Sequence, residues 1–397
     1  MRIFGCKAVN IHTLKPKLLT FGFNVCIFTI EQEVWIMNGA YIANTLPIDR
    51  RSVDQSYFLE ELIDATAKLE VYKEKIKDSK LDSSWFMPTL QQKEALASSM
   101  LEGTQATLDG VLSNQVTPND KDKNLNEVRN YYLATISGYR YLMGNAFSDD
   151  FFFHMHEVLM HGNVRKPMLI GKYRTSQNYI GQNNASHIIT FIPPEPQNVP
   201  TLMKNLIEYI NHPTDQYRPL VRAAIVHAQF ETIHPFMDGN GRVGRMLIPM
   251  YLFSQKQIDL PCFFISEALE RDKIRYYSVL NDIRYENNWN EWIKFFLSTV
   301  TRQCDKYIRI ITEINSLYEK HLEFAKKLSR SASIVDIVNL LYQYPIVTAR
   351  QIEEKTNIPL TSVNRYLNLL TKHHILYSDD KKRNRTFFYY DLLEVLR

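Results

Sequence analysis

Between positions 234 and 245 the chain reads HPFMDGNGRVGR, which sets an imidazole, a carboxylate, three glycines, an asparagine and two guanidinium groups within twelve residues. His234 can take a proton from a hydroxyl near neutral pH and is the candidate general base. Gly239, Asn240 and Gly241 directly precede a segment with helical periodicity, where glycine lets the backbone approach a ligand closely. A helix N-terminus offers free N–H groups and a positive dipole end, so an anion such as phosphate is favoured there. Arg242 and Arg245 fall three apart on one face of the first turn. Two cations at that end are unfavourable unless a polyanion lies between them, and a triphosphate meets the need. Asp238 stands beside these groups, in the place of a Mg²⁺ ligand, because that ion takes few protein oxygens and completes its shell with phosphate. Asp-Gly-Asn-Gly alone is a good turn sequence. A turn, however, has no use for the histidine, the aspartate and both arginines, so the stretch reads as a site.

The elements that must position these groups read as mostly helical. Leu59, Leu62, Ile63, Leu69 and Tyr72 share one face of a helix within 56–79, with the small Thr66 between them. Residues 80–88 break the pattern and end on Pro88. Thr89 and Gln92 have capping-box spacing and Gly103 suits a stop, which predicts a helix from about 90 to 102. Further helices are expected around 126–143, 149–162, 200–212, 216–232 and across most of 270–330. Another follows the motif, with Val243, Met246, Leu247 and Met250 on one face. Residues 171–196 are dense in Gly, Asn and Ser, and the β-prone run HIITFI precedes Pro193-Pro194, so a hairpin is expected. LSRSAS at 328–333 reads as a linker. Beyond it, SIVDIVNLLYQYP predicts one helix, and TARQIEEKTNI with PLTSVNRYLNLLTKHHI a helix–turn–helix joined around Asn357. LYSDDKKRNRTFFYY predicts a two-stranded wing, so this part is expected to be a winged helix.

HPFMDGNGRVGR matches the Fic-domain signature HPFx(D/E)GNGRxxR at every defined position, so the chain resembles Fic proteins. The resemblance implies a protein adenylyltransferase that moves AMP from ATP to a Ser, Thr or Tyr hydroxyl of a target protein or of itself, releasing pyrophosphate. It implies His234 as the base and Asp238 as the Mg²⁺ ligand. Gly239, Asn240, Gly241, Arg242, Val243, Gly244 and Arg245 would hold the nucleotide. Within this stretch Asn240 and the neighbouring backbone would take the α-phosphate, and the two arginines the β- and γ-phosphates. The related Doc kinases carry Lys at the position of Gly241, so glycine favours nucleotidyl over phosphoryl transfer. VHAQFETIHPF resembles the family's lead-in helix, in which His227 and Gln229 read as packing or supporting groups, with a place at the adenine pocket the alternative for Gln229. GKYRTSQNYIG…FIPPEP resembles the flap that aligns a target peptide by strand addition, with Thr190 and Phe191 at its edge. RYYSVLNDIR and WNEWIKFFL resemble later family helices, where Tyr277 would line the adenine pocket; a place in the core is equally open to it.

Glu102 falls at the end of its predicted helix, where a carboxylate meets the negative dipole end and is disfavoured unless solvated or paired. Ser98 to Gly103 also matches the family's inhibitory motif, (S/T)xxxE(G/N). The match implies that Glu102 pairs with Arg245 and keeps the γ-phosphate from its productive pose. With the motif N-terminal to the signature, this is the class II arrangement.

The chain has 397 residues, 45% hydrophobic and 23% charged, which excludes a disordered chain and allows two or three domains. A formal charge of +4 demands no nucleic-acid partner. Cys6, Cys26, Cys262 and Cys304 show neither metal-ligand spacing nor a disulfide framework, which fits a reducing, cytoplasmic compartment. The apolar run at 18–30 is too short and interrupted to span a bilayer, and no cleavage site follows it. Residues 1–36 therefore read as a non-native or disordered extension from an upstream start codon, with an uncleaved membrane or partner anchor as the competing reading. The expected organisation is mostly α: a helical region with the inhibitory helix at 37–125, a Fic-type bundle with a β-hairpin flap at 126–327, a linker at 328–333 and a winged helix at 334–397. Arg365 and Lys372 on the recognition-helix candidate, with Lys381, Lys382, Arg383 and Arg385 on the wing, would serve DNA binding. Residues 333–397 hold nine Lys and Arg against seven Asp and Glu, a weak footprint that leaves protein docking or dimerisation equally open. Many Fic proteins are homodimers, which the resemblance extends to this chain. A metal-dependent hydrolase would need more ligands than His234 and Asp238 supply. A different nucleotide donor, or a nucleotide-sensing transcription regulator, are the alternatives to AMP transfer.

Overall fold

The computed structural model describes residues 26–30, 33–37, 39–162, 169–181, 189–260, 262–379, 381 and 383–397. Residues 1–25 of the expected extension, His187 and Ile188 of the β-prone run, and Lys382 lie outside them. The first described elements are an antiparallel pair, β1 (Cys26–Ile30) and β2 (Glu33–Met37), which lies mostly within the stretch read as a non-native or disordered extension and gives it paired strands instead. Five helices follow: α1 (Leu59–Lys77), α2 (Ser83–Leu101), α3 (Leu108–Asn114), α4 (Lys123–Leu142) and α5 (Asp149–Leu159). The short strands β3 (Ile180–Gly181) and β4 (Ile189–Phe191) pair antiparallel. Next come α6 (Val199–Asn211), α7 (Pro219–Ile233), α8 (Asn240–Ser254), α9 (Ser266–Arg271), α10 (Lys273–Glu286) and α11 (Trp289–Leu328). The chain ends with α12 (Ala332–Gln343), β5 (Ile346–Thr348), α13 (Ala349–Thr356), α14 (Leu360–Lys372), β6 (Tyr377–Ser378), β7 (Thr386–Phe388) and α15 (Tyr390–Leu396).

α7 and α8 form the centre. Every residue from Ala223 to Ile233 and from Arg242 to Leu252 is buried, as expected for helices packed on all sides. Val243, Met246, Leu247 and Met250 are inside as the pattern predicts, but Ile248, Pro249 and Leu252 on other faces are buried too. α1 packs along α11 through Leu62, Ala65, Leu69 and Tyr72. Leu59 and Ile63, expected on this face, are 50% and 60% exposed, because the buried stripe includes Ala65 and turns away from them.

The helix that carries Glu102 begins earlier than the sequence suggests. The Asp82 carboxylate accepts from the Ser84 N–H and starts α2 at Ser83, so Pro88 lies inside the helix. Thr89 is therefore no cap. Its hydroxyl donates instead to the carbonyls of Tyr342 at 2.9 Å and Gln343 at 3.2 Å, at the end of α12. The Pro-Thr boundary signal lost to an Asp cap seven residues upstream. The C-terminal stop is as expected, with Gly103 at φ 95°.

The C-terminal elements dock on this body. Only Ser329–Ser331 separates α11 from α12, within the stretch read as a linker. At its full 40 residues α11 is about 60 Å long, and it reaches from α7 and α10 to α12 and α15. Tyr318 donates to Asn339 at 2.9 Å, the Tyr389 hydroxyl lies 2.6 Å from His321 Nδ1, and Arg397 pairs with Asp109 of α3 at 2.5 Å. α13 and α14 join at Asn357, in the left-handed region at φ 56°. β5, β7 and β6 lie in that order in one antiparallel sheet, one strand more than the wing predicted. Among the described residues no helix is long and apolar enough to cross a membrane.

Candidate active site

The loop between α7 and α8 is fixed before any ligand arrives. His234 ends α7 in the left-handed region (φ 50°, ψ 60°), with its N–H on the Phe230 carbonyl at 2.9 Å. Gly239 precedes α8 at φ 78°, a conformation glycine takes without cost. Asn240 closes the loop: its Oδ1 accepts from the Phe236 N–H and its Nδ2 donates to the Phe236 carbonyl, both at 2.8 Å. The Asn240 side chain, expected at the α-phosphate, is thus committed to the loop. What the start of α8 offers an anion is backbone N–H groups.

Three residues not singled out from the sequence brace the loop from outside. Arg174, 2% exposed, donates Nε to the His234 carbonyl at 2.9 Å and Nη2 to the Pro194 carbonyl at 2.5 Å. Asn178 donates to the Phe236 carbonyl at 2.9 Å. His156 stacks on the fully buried Phe236 at 4.0 Å. Its Nδ1 accepts from the Gly171 N–H at 3.0 Å, so its proton is on Nε2, which donates to the Asp238 carbonyl at 3.1 Å. Burial pushes the His156 pKa down to about 4, keeping the ring neutral. Arg174 and Asn178 lie in the stretch read as a flap. Nothing local marks them as clamps, since their partners are backbone carbonyls far along the chain.

The chemical groups sit at the rim. Burial first, then the charge of Arg284, pushes His234 down to about 3, so its imidazole is neutral at pH 7 and can accept a proton. Nδ1 faces the Glu231 carbonyl at 3.4 Å, which leaves Nε2 as the acceptor. Asp238 has a 60% exposed side chain, and its Oδ1 accepts from the Gly239 N–H at 2.6 Å. Arg242 is nearly buried, 3.6 Å from Asp238 Oδ1, and its Nε is buried with no hydrogen-bond partner.

Arg245 is 1% exposed and tied to α2. Its Nε donates to the Ser98 hydroxyl at 2.8 Å, and Nη2 to the Ser98 carbonyl at 2.9 Å and to Glu102 Oε1 at 2.6 Å. Burial pushes the Glu102 carboxyl up, but Arg245, with Arg242 and His234 behind it, more than offsets this and holds it below its ordinary range. Gly241 makes the approach feasible, because a Cβ there would stand 2.3 Å from Glu102 Oε1. Ser98, Glu102, Gly241 and Arg245 are therefore brought together. Glu231, unremarked in the sequence, lies below them, 6% exposed, with Oε1 unpartnered. Burial raises its pKa to about 7.

The remaining candidates divide. His227 is structural: Nδ1 donates to the Gly244 carbonyl and Nε2 accepts from Tyr276, both at 2.9 Å. Gln229, offered as an adenine-pocket or supporting group, is 2% exposed and donates to the Asn44 carbonyl at 2.7 Å, so it secures the N-terminal segment instead. Tyr277 is 37% exposed, its ring tilted against Tyr276, in the electrostatic reach of Glu102 and Arg245. Phe191 is fully buried, under the Arg284 guanidinium at 3.9 Å, so its side chain is not on the flap's free surface. The Thr190 carbonyl already accepts from the Tyr285 hydroxyl at 2.7 Å.

Comparison with known proteins places the chain among Fic-like sequences and folds. Residues 146–252 match the Fic/DOC family and residues 59–140 the Fic/DOC family N-terminal region. The chain is 27% identical over 192 residues to a probable protein adenylyltransferase of Aquifex aeolicus, covering 44% of this chain and 58% of that protein. It is 34% identical over 106 residues to protein adenylyltransferase fic-1 of Caenorhabditis elegans, covering 26% of this chain and 19% of that protein. The chain thus spans less than two thirds of the length of these curated relatives. A Fic family protein from Desulfovibrio desulfuricans shares its fold, with a TM-score of 0.54 at 18% identity over 89% of this chain and 98% of that one. A Fic domain containing signaling protein from Bacteroides thetaiotaomicron gives 0.52 at 19% identity, over 62% of this chain and 97% of that one. Two adjoining stretches of the chain, α1–α4 and α5–α8, therefore match the Fic family, within a fold that Fic proteins share.

Proposed function

We propose that this chain is a protein adenylyltransferase restrained by its own inhibitory helix. The observation that carries the reading is the 2.6 Å pair between Arg245 and Glu102. It sets a carboxylate on the cation that the first turn of α8 holds out for a polyanion. The donor is ATP and the acceptor a Ser, Thr or Tyr hydroxyl of a target protein or of the chain itself. The neutral His234 takes the hydroxyl proton. The hydroxyl oxygen forms a bond to the α-phosphorus, and the bond from that phosphorus to the bridging oxygen breaks, so pyrophosphate leaves. Backbone N–H groups at the start of α8, those of Asn240, Gly241 and Arg242, would hold the α-phosphate, since the Gly239 N–H donates to Asp238 and the Val243 N–H to the Gly239 carbonyl. Arg242 and Arg245 would hold the β- and γ-phosphates. The unpartnered, buried Nε of Arg242 fits an anion there.

Among the described residues no three His, Cys, Asp or Glu side chains group as metal ligands. Asp238 presents a 60% exposed carboxylate beside Arg242, which fits an ion that takes most of its shell from phosphate and water. Asp238 would hold Mg²⁺ there, and the ion would supply charge neutralisation of the phosphates. Since α2 precedes the motif, the restraint is of the class II kind. The α13–α14 pair and the β5–β7–β6 sheet support a winged helix, with Arg365, Lys372, Lys381, Arg383 and Arg385 available for a DNA backbone. Its role as DNA binder or as a docking or dimerising module follows from a gel-shift assay beside a sedimentation measurement.

The test of the reaction is incubation with ATP labelled at the α-phosphate, followed by mass spectrometry of the modified chain. Label and an AMP increment are expected, and both vanish in His234→Ala. A different nucleotide increment would overturn the donor. Label transferred from the γ-phosphate but not the α-phosphate would overturn nucleotidyl transfer.

A further inference from the structure

We infer that Arg284 is a positioning residue that fixes the His234 imidazole and couples it to the β3–β4 hairpin; this rests on the reading of His234 as the base. Arg284 lies in the last turns of α10 and reaches the last turn of α7. Its Nη2 donates to the Glu231 carbonyl at 3.1 Å, the same oxygen that faces His234 Nδ1 at 3.4 Å. Nε lies 3.5 Å from the Thr232 hydroxyl, and Nη1 donates to Asn281 at 2.9 Å. The carbonyls at a helix C-terminus lack partners within the helix, and a cation there is favoured. Arg284 meets both needs at the end of α7. In doing so it holds the acceptor that keeps the His234 proton on Nδ1 and its lone pair on Nε2.

The same side chain reaches the hairpin. The guanidinium stacks 3.9 Å above the buried Phe191 of β4, and the next residue, Tyr285, donates to the Thr190 carbonyl at 2.7 Å. Consecutive residues of α10 thus secure the strand that would align a target and the carbonyl that orients the base. A rigid fork with a flat face can do both, and a lysine cannot. Four groups act on His234: Arg284 from α10, Arg174 from the segment before β3, Glu102 from α2 and the Glu231 carbonyl of its own helix. After burial, Arg284 is the largest influence, and with Arg174 it opposes protonation, whereas Glu102 and the carbonyl favour it.

The test follows the His234 ring by NMR titration of histidine-labelled full-length protein, with His234→Ala to assign the signal. This readout needs no activity, so it stands even if the proposed transfer fails. Arg284→Met should raise the titration midpoint of His234 by about one pH unit, since a neighbouring cation is gone. Arg284→Lys should keep the midpoint near the parent's. In the labelling assay on a Glu102→Gly background, Arg284→Lys should lower kcat at least about tenfold, as expected when a base is misplaced by about 1 Å. A midpoint unchanged in Arg284→Met, or moved as far in Arg284→Lys, would overturn the inference. Full activity in Arg284→Lys would do so as well. Absence of label in the Glu102→Gly parent would instead refute the proposed transfer and leave the NMR result to decide Arg284.

Discussion

Replacing Glu102 by glycine removes one carboxylate from the restraint and none of the groups assigned to the transfer. Its effect can be sized from the contacts. The carboxylate makes one charge-assisted hydrogen bond to Arg245 at 2.6 Å, and its side chain is 37% exposed. Hydrogen bonds to charged groups contribute about 1.5–3 kcal/mol. With over a third of Glu102 open to water, screening sets the value toward the lower part of that range, about 2 kcal/mol. Each 1.36 kcal/mol is a factor of ten, so relief of the pair should raise the rate of self-labelling about 30-fold. Arg245 keeps its two bonds to Ser98 in the variant, so the binding cation stays in place. Glu102→Gln should fall between parent and glycine, because the amide retains the bulk and a weaker hydrogen bond. The assay is the initial rate of label uptake from α-labelled ATP at matched protein concentration, with the Glu102→Gly, His234→Ala double variant as blank. A rise of less than about twofold over the parent would refute the reasoning, since a bond of this kind could not then be what restrains the site.

Two further outcomes test the packing around the site. Gly244→Ala would place a Cβ 2.2 Å from the buried Glu231 Oε1 and 3.1 Å from the ring of the fully buried Phe230. A loss of about 1–3 kcal/mol is expected from overpacking, read as a lower midpoint in urea unfolding. Glu94 on α2 is 4% exposed and accepts from the Ser266 N–H at 3.0 Å; burial raises its pKa to about 7, against 4.5 for a free side chain. A group whose folded pKa is raised adds stability fully below the unfolded pKa and loses it as pH climbs through the folded one. The melting temperature attributable to Glu94 should therefore decline between pH 4.5 and 7 and level off above. Glu94→Gln should flatten that decline, which parallel melting curves at pH 5 and 7.5 would check.

The groups of the candidate site were largely legible in the chain. HPFMDGNGRVGR names its own groups because a short loop and one helical turn hold them in sequence neighbourhood. The SxxxEG stretch was legible as well, since its spacing is local to one helix. The start of that helix was not. Pro88-Thr89 imitates a boundary, and only the Asp82 cap and the contact of Thr89 with the end of α12 place the true one. Tertiary structure also decided which polar groups face a ligand. Asn240 has the right chemistry for phosphate, yet both its donor and its acceptor close the loop. Gln229 and Phe191 have plausible types for a pocket and a docking edge, yet each is turned inward onto a distant partner. Arg174, His156 and Arg284 were invisible because each reaches a backbone carbonyl of the 231–238 segment from 50 or more residues away, and carbonyls carry no sequence. Sequence by itself determined which reactive groups exist and which lie within one turn of each other. The fold alone determined which of them are neutral, which are spent on structure, and that Glu102 and Arg245, 143 residues apart, meet at 2.6 Å, because burial and pairing are properties of what packs around a side chain.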